Sequence, residues 1–132
     1  MPLRISLRAQ ERLIVGGAVV RNGNHRCDLM IENDVPILRG KDVLGLDEAT
    51  SPCKRIYFAV QLMYVDPAHL ADHQKLYGEL VREVIEASPS MTALLTQLNE
   101  RIAADQYYQA LKVARKLIAY EQELISHAVV RS

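Results

Sequence analysis

Apolar and polar positions alternate with a period of two from Leu3 to Arg39, and with a helical period after Ser51. Leu3, Ile5 and Leu7 alternate with Arg4, Ser6 and Arg8, which predicts a first strand with those three apolar residues buried and the arginines outside. Arg12–Val15 and Ala18–Arg21 are two further apolar runs, separated by Gly16-Gly17. Asn22-Gly23 carries the residue types of a tight hairpin turn with positive φ at both centres. Arg26–Ile31 alternates again, with Cys27, Leu29 and Ile31 on one face, so Cys27 is expected to be a small core residue. Asn33-Asp34 punctuates the chain before a last short strand, Val35–Arg39. Pro36 cannot donate to a ladder, so this strand must be an edge or be bulged there.

The second half opens each helix with a start signal. Thr50-Ser51-Pro52 is a cap followed by proline in the first turn, with Ile56, Val60, Met63 and Tyr64 as the apolar stripe. Asp66-Pro67 and Ser88-Pro89 open the next two helices. Their stripes are Leu70, Tyr77, Leu80, Val81 and Val84, then Leu94, Leu95, Leu98 and Ile102. A fourth helix is predicted from near Ala104, with Tyr107, Tyr108, Leu111, Ala114, Ile118 and Ile125 on its apolar side. The fold class expected is α+β: a small antiparallel β part at the N-terminus, residues 1–48, followed by a bundle of about four α-helices, residues 51–130. So small a sheet is marginal alone and needs the helical part or a second copy to cover it. A homo-oligomer is therefore expected.

A chain of 132 residues, 49% hydrophobic and 24% charged, lies in the ordinary globular range. No apolar run suits a membrane helix and the start lacks a signal-peptide core, so a cytoplasmic protein is expected. Sixteen basic residues balance sixteen acidic ones, which excludes a broadly basic, histone-like binder. The charge is segregated, however: residues 1–26 hold five arginines and one glutamate.

No nucleophile elbow, phosphate loop, dinucleotide fingerprint or metalloprotease motif occurs, so no catalytic residue, cofactor or metal is expected. Cys27 and Cys53 form no metal-binding spacing and read as reduced thiols. His69 and His73 lie four apart on one helix face, but with no clear third ligand they read as a partly buried histidine and its neighbour. Tyr107 and Tyr108 read as packing residues.

The arginines offer more chemistry. Arg4 and Arg8 leave the same face of strand one, Arg12 follows, and Arg39 and Lys41 end the last strand. With those strands side by side the sheet would present a ridge, and guanidinium groups bind phosphate in bidentate fashion and stack on unpaired bases. Lys54-Arg55 adds a basic pair at a helix start, where the dipole disfavours positive charge. The candidate RNA-binding residues are therefore Arg4, Arg8, Arg12, Arg39, Lys41, Lys54 and Arg55. The competing reading is a solvated face paired with Glu11, Asp28 and Glu32.

PLRISL at the start, ILRGKD from Ile37 to Asp42, TSPCKRIYFAVQLMYVD from Thr50 to Asp66 and YYQALKVARKLIAYE from Tyr107 to Glu121 resemble, in order and spacing, the blocks of the FlbT family of flagellum biosynthesis repressors. The resemblance runs from Leu3 to about Leu124. It implies a post-transcriptional regulator acting on the 5′ untranslated region of flagellin mRNA, with FlaF or another flagellar protein as a possible companion and no catalytic site. Asp34 stands where a basic residue is expected after the turn asparagine, and Gly40 where a larger polar residue is expected. Residues 3–44 also resemble the CsrA family of small RNA-binding regulators. That resemblance implies an RNA site flanked by Arg4, or Arg8, and Arg39, and a sheet completed by strand exchange in a dimer. Two functional readings follow: an mRNA-binding regulator, or a protein-binding adaptor of flagellar assembly whose helical half holds a partner.

Overall fold

The computed structural model describes residues 2–131, with side chains through residue 128. The chain forms two compact units, Met1–Val43 and Leu44–Ser132. The first contains β1 (Leu3–Leu7), β2 (Arg12–Val15), β3 (Ala18–Arg21), β4 (Cys27–Ile31) and β5 (Ile37–Arg39). All pairings are antiparallel: β1 with β4, and β3-β2-β5 as a second small sheet. Ile5 and Leu7 of β1 meet Leu13 of β2 in one core, with Val15, Cys27, Leu29, Ile31 and Ile37 packed against it. Cys27 is thus a small residue at the margin of that core, as its alternation predicts.

Three local expectations are corrected. Leu3 is half exposed, because the core reaches only Ile5 and Leu7 on that face. The tight hairpin turns at Gly16-Gly17, where φ is +54° and +90°, and joins β2 to β3. Asn22-Gly23 makes no hairpin: five residues separate β3 from β4, and the core-facing side of β4 is used on β1. Asn22 instead ties the segment together, its side-chain amide donating to the carbonyls of Arg8 (2.7 Å) and His25 (2.9 Å). The last strand begins at Ile37, after Pro36, and is an edge of its sheet.

The second unit comprises α1 (Pro52–Val65), α2 (Leu70–Ala87), α3 (Thr92–Ala103) and α4 (Tyr107–Arg131). No charged residue occurs between Ile56 and Val65, and a helix apolar all round must be buried. Accordingly α1 packs against both α2 and α4, with Ile56, Val60 and Met63 fully enclosed. Ser51 caps it, accepting from the Lys54 N–H at 3.3 Å, with Pro52 at the first helical position. The Asp66-Pro67 and Ser88-Pro89 signals each begin a single 3-10 turn, Pro67–His69 and Pro89–Met91, that leads into the following helix. The buried side of α4 is Ala110, Leu111, Val113, Ala114, Leu117 and Glu121. Tyr108 and Ile125, expected on the apolar stripe, are exposed there. No helix among the described residues is long and apolar enough to cross a membrane.

Candidate nucleic-acid interface

Strand alternation places Arg4 and Ser6 on the face of β1 opposite Ile5 and Leu7. The register sets Arg4 across from Met30 and Ser6 across from Asp28. Arg4 Nη2 donates to Asp28 Oδ2 at 2.6 Å, and both groups are largely in solvent. Hydrogen bonds from Arg4 and Ser6 hold the Asp28 carboxyl below the usual carboxylate range. Arg26 Nε donates to Ser6 Oγ at 3.3 Å on the same ribbon.

Arg39 reaches β1 by a different route from the one expected. β1 and β5 do not lie side by side; they belong to different sheets. The Arg39 guanidinium spans the gap, donating to the Ser6 carbonyl and to Glu11 Oε2 at 3.1 Å. Glu11 also accepts from the Arg8 main-chain N–H at 3.0 Å. That hydrogen bond and the one from Arg39 lower the Glu11 carboxyl below its ordinary value. Gly40 has φ +58°, and a Cβ there would stand 3.3 Å from Glu11 Oε2. The family position where a larger residue is expected is therefore filled here by the residue that leaves room for the Arg39–Glu11 pair.

The remaining candidates separate. Arg12 Nη2 donates to the Val43 carbonyl at 3.1 Å, a contact within its own unit. Lys41 is exposed in the 3-10 turn Gly40–Asp42. Lys54 and Arg55 lie in the first turn of α1, in the other unit. The carboxylate of Glu121 accepts from the Cys53 N–H at 3.0 Å at that same helix start. Its negative charge offsets the basic pair against the helix dipole. Sequence reading missed Arg21 and Arg26. Their signal lay in position: Arg21 ends β3 and Arg26 immediately precedes β4, so the two stand at either end of the connection between the two small sheets.

His69 and His73 share one acceptor, Asp66, at 3.0 Å and 2.9 Å. Asp66 closes α1 and precedes α2, so the three residues form a structural elbow. No group of three or more metal-ligating side chains occurs among the described residues. Cys53 is buried, and burial together with Glu121 pushes its thiol up to about 12, so it is a protonated packing residue.

Residues 3–125 match the family model described as flagellar protein FlbT. A probable flagellum biosynthesis repressor protein FlbT 1 of Bradyrhizobium diazoefficiens is 43% identical over 94% of this chain and 85% of its own length. A probable flagellum biosynthesis repressor from Caulobacter sp. strain K31 is 37% identical over 96% of this chain and 98% of its own. The flagellum biosynthesis repressor of Caulobacter vibrioides is 36% identical over 96% and 92%. No solved structure matches the chain significantly. With a family match across nearly its whole length and several full-length relatives at this identity, the chain belongs to the FlbT family of flagellar proteins.

Proposed function

We propose that this protein represses or otherwise regulates flagellum biosynthesis after transcription, by binding the 5′ untranslated region of flagellin mRNA and altering its translation and lifetime. The relatives' names supply the coarse part, a flagellum biosynthesis repressor and so a regulator rather than an enzyme. The observation that supports RNA as the direct ligand is the outward side of the β1–β4 ribbon. It displays Arg4 and, each one residue beyond the ladder, Arg8 and Arg26, while the carboxylates in reach, Asp28 and Glu11, are engaged by Arg4 and Arg39. Exposed guanidinium groups on a β surface suit phosphates and splayed bases of a single strand.

The test is a titration of the full-length protein with a flagellin leader RNA and a scrambled control over a range of salt. Binding that prefers the leader and falls steeply with salt is expected. If neither RNA binds at low salt, direct RNA recognition is wrong. The adaptor reading, with the helical unit holding a flagellar protein such as FlaF, would then lead. The feature on its side is the exposure of Leu76, Ile85, Tyr108 and Ile125 on the helices.

A further inference from the structure

Arg8 and Arg26 each lie one residue past Leu7↔Cys27, the last pair of the β1–β4 ladder, so both leave the same end of that ribbon. Two basic side chains are thereby gathered at one end of an antiparallel pair. The nearby carboxylates do not relieve them by contact. Asp28 is bonded to Arg4, and Glu11 to Arg39 and to the Arg8 main chain rather than its side chain. Arg8 and Arg26 act on those carboxylates only through their fields. Arg26 bonds a neutral hydroxyl, Ser6 Oγ. A third guanidinium closes the group: Arg21 Nη1 donates to the Gln10 carbonyl at 3.2 Å, two residues from Arg8.

The backbone beneath this group is unusually well tied for a pair of loops. Asn22 bonds the carbonyls of Arg8 and His25. The Gln10 N–H donates to the Gly23 carbonyl at 2.9 Å, the Asn22 N–H to the Glu11 carbonyl at 2.9 Å, and Gln10 Nε2 to Asn24 Oδ1 at 2.7 Å. Gln10 holds φ at +64° within this network. The loops thus present Arg8, Arg21 and Arg26, with the amides of Gln10 and Asn24, on a fixed support. Rigid placement lowers the ordering cost of binding.

From this we infer that the tip of the β unit formed by Arg8, Arg21 and Arg26 is the principal phosphate-binding site for single-stranded RNA, with Arg4 and Arg39 held in intramolecular pairs beside it. The inference rests on the RNA-binding reading above and assigns its site. A bound phosphodiester would give these arginines the anion in contact that Asp28 and Glu11, bonded to Arg4 and Arg39, do not. A chain of successive phosphates fits three guanidiniums better than a lone anion does. The acidic pairing of Arg4 and Arg39 makes those two residues weaker contributors than the tip.

The signature of such a site is a divergence between stability and binding. Among the described residues, neither Arg8 nor Arg26 has a carboxylate in contact with its side chain, so Arg8→Gln and Arg26→Gln should each unfold at close to the wild-type urea concentration. The same variants should bind the leader RNA and a mixed-sequence single-stranded oligoribonucleotide more weakly. The slope of log affinity against log salt should flatten by about 0.7 for each contact removed. Arg101→Gln provides the charge-matched control: its guanidinium donates to Gln106 Oε1 at 2.8 Å in the helical unit. A loss of RNA affinity in the Arg8, Arg21 and Arg26 variants, but not in Arg101→Gln, supports the tip. Wild-type binding that survives the Arg8→Gln/Arg26→Gln double substitution with an unchanged salt slope overturns the tip and leaves RNA binding standing. Absence of binding by wild type itself overturns the RNA reading instead. A double variant that unfolds more easily than wild type would show that the pair is structural and overturn the assignment.

Discussion

A carboxylate in an otherwise apolar helix face is costly unless its oxygens are fully used, and Glu121 uses both. It accepts from the Cys53 N–H and from the Ser51 hydroxyl, so a residue of α4 completes the cap of α1. Glu121→Ala would leave that buried N–H without its acceptor. A loss of about 1–3 kcal/mol in urea unfolding is expected; a loss within measurement error would show that water replaces the carboxylate at no cost. The sequence marks Glu121 only as a charge at a helical-spacing position of the apolar stripe, between Ala114 or Ile118 and Ile125, and its partners could not be read because they lie 68 and 70 positions away. Gly40 is a second such case. Its positive φ and the closeness of Glu11 predict that Gly40→Ala destabilises the β unit by roughly 1–2 kcal/mol, the cost of a left-handed non-glycine residue. Equal thermal stability of this variant and wild type would count against the assignment. By contrast, the outward placement of Arg4 and Arg8 was legible, since a period of two admits only one arrangement once Ile5 and Leu7 are inside.

At the scale of elements, the elbow between α1 and α2 predicts a pH response. Hydrogen bonds from His73 and His69 hold the Asp66 carboxyl below its ordinary value. A carboxyl with a folded value below its unfolded one stabilises the fold at pH above the unfolded value, and that contribution is lost as pH falls through the folded one. Asp66→Asn should therefore remove part of the acid-side loss of stability. Chemical unfolding of variant and wild type should diverge above the usual carboxylate range and converge well below it. Parallel curves at all pH would mean that the elbow is held by packing alone. The start of α1 was legible because Ser51 and Pro52 act locally, and Pro67 and Pro89 likewise marked the 3-10 turns that lead into α2 and α3. The hairpin was not, because Gly16-Gly17 and Asn22-Gly23 both satisfy the turn's φ requirement. The choice between them depends on which strand covers Leu13, a long-range matter. The strand β5 and the Arg39 clamp show the same limit: spacing placed Arg39 at a strand end, but only the two-sheet arrangement directs it onto Ser6 and Glu11. The change of period at Ser51-Pro52 correctly marks α1. The compact units part earlier, after Val43, because the buried amide of Gln61 pairs with both main-chain groups of Leu44 at 2.8 Å.

At the scale of the whole molecule, β3 is an edge strand with one side of its main chain open, and this bears on assembly. Val15 and Ala18 flank the two-residue turn at Gly16-Gly17 and form its closing hydrogen-bonded pair. Alternation then directs the main-chain groups of Ala18 and Val20 toward β2, and those of Val19 and Arg21 away from it. β3 is an edge, all four of its residues are exposed, and Val19 and Val20 remain 68% and 41% accessible. Natural sheets blunt or cover such an edge, and an uncovered one pairs with another chain. A second copy set antiparallel, with Val20 facing its own counterpart, would pair Val19 of each chain with Arg21 of the other. It would join the two three-stranded sheets into one. The arginines would then alternate with valines across the junction, so no two like charges face each other there. The expected outcome is a dimer mass by light scattering at micromolar concentration and above. Val20→Lys should shift it to the monomer, because two lysines would then stand opposite each other in the pair. A monomer mass for wild type throughout that range, or an unchanged dimer mass for Val20→Lys, would show that this edge is not where the copies meet.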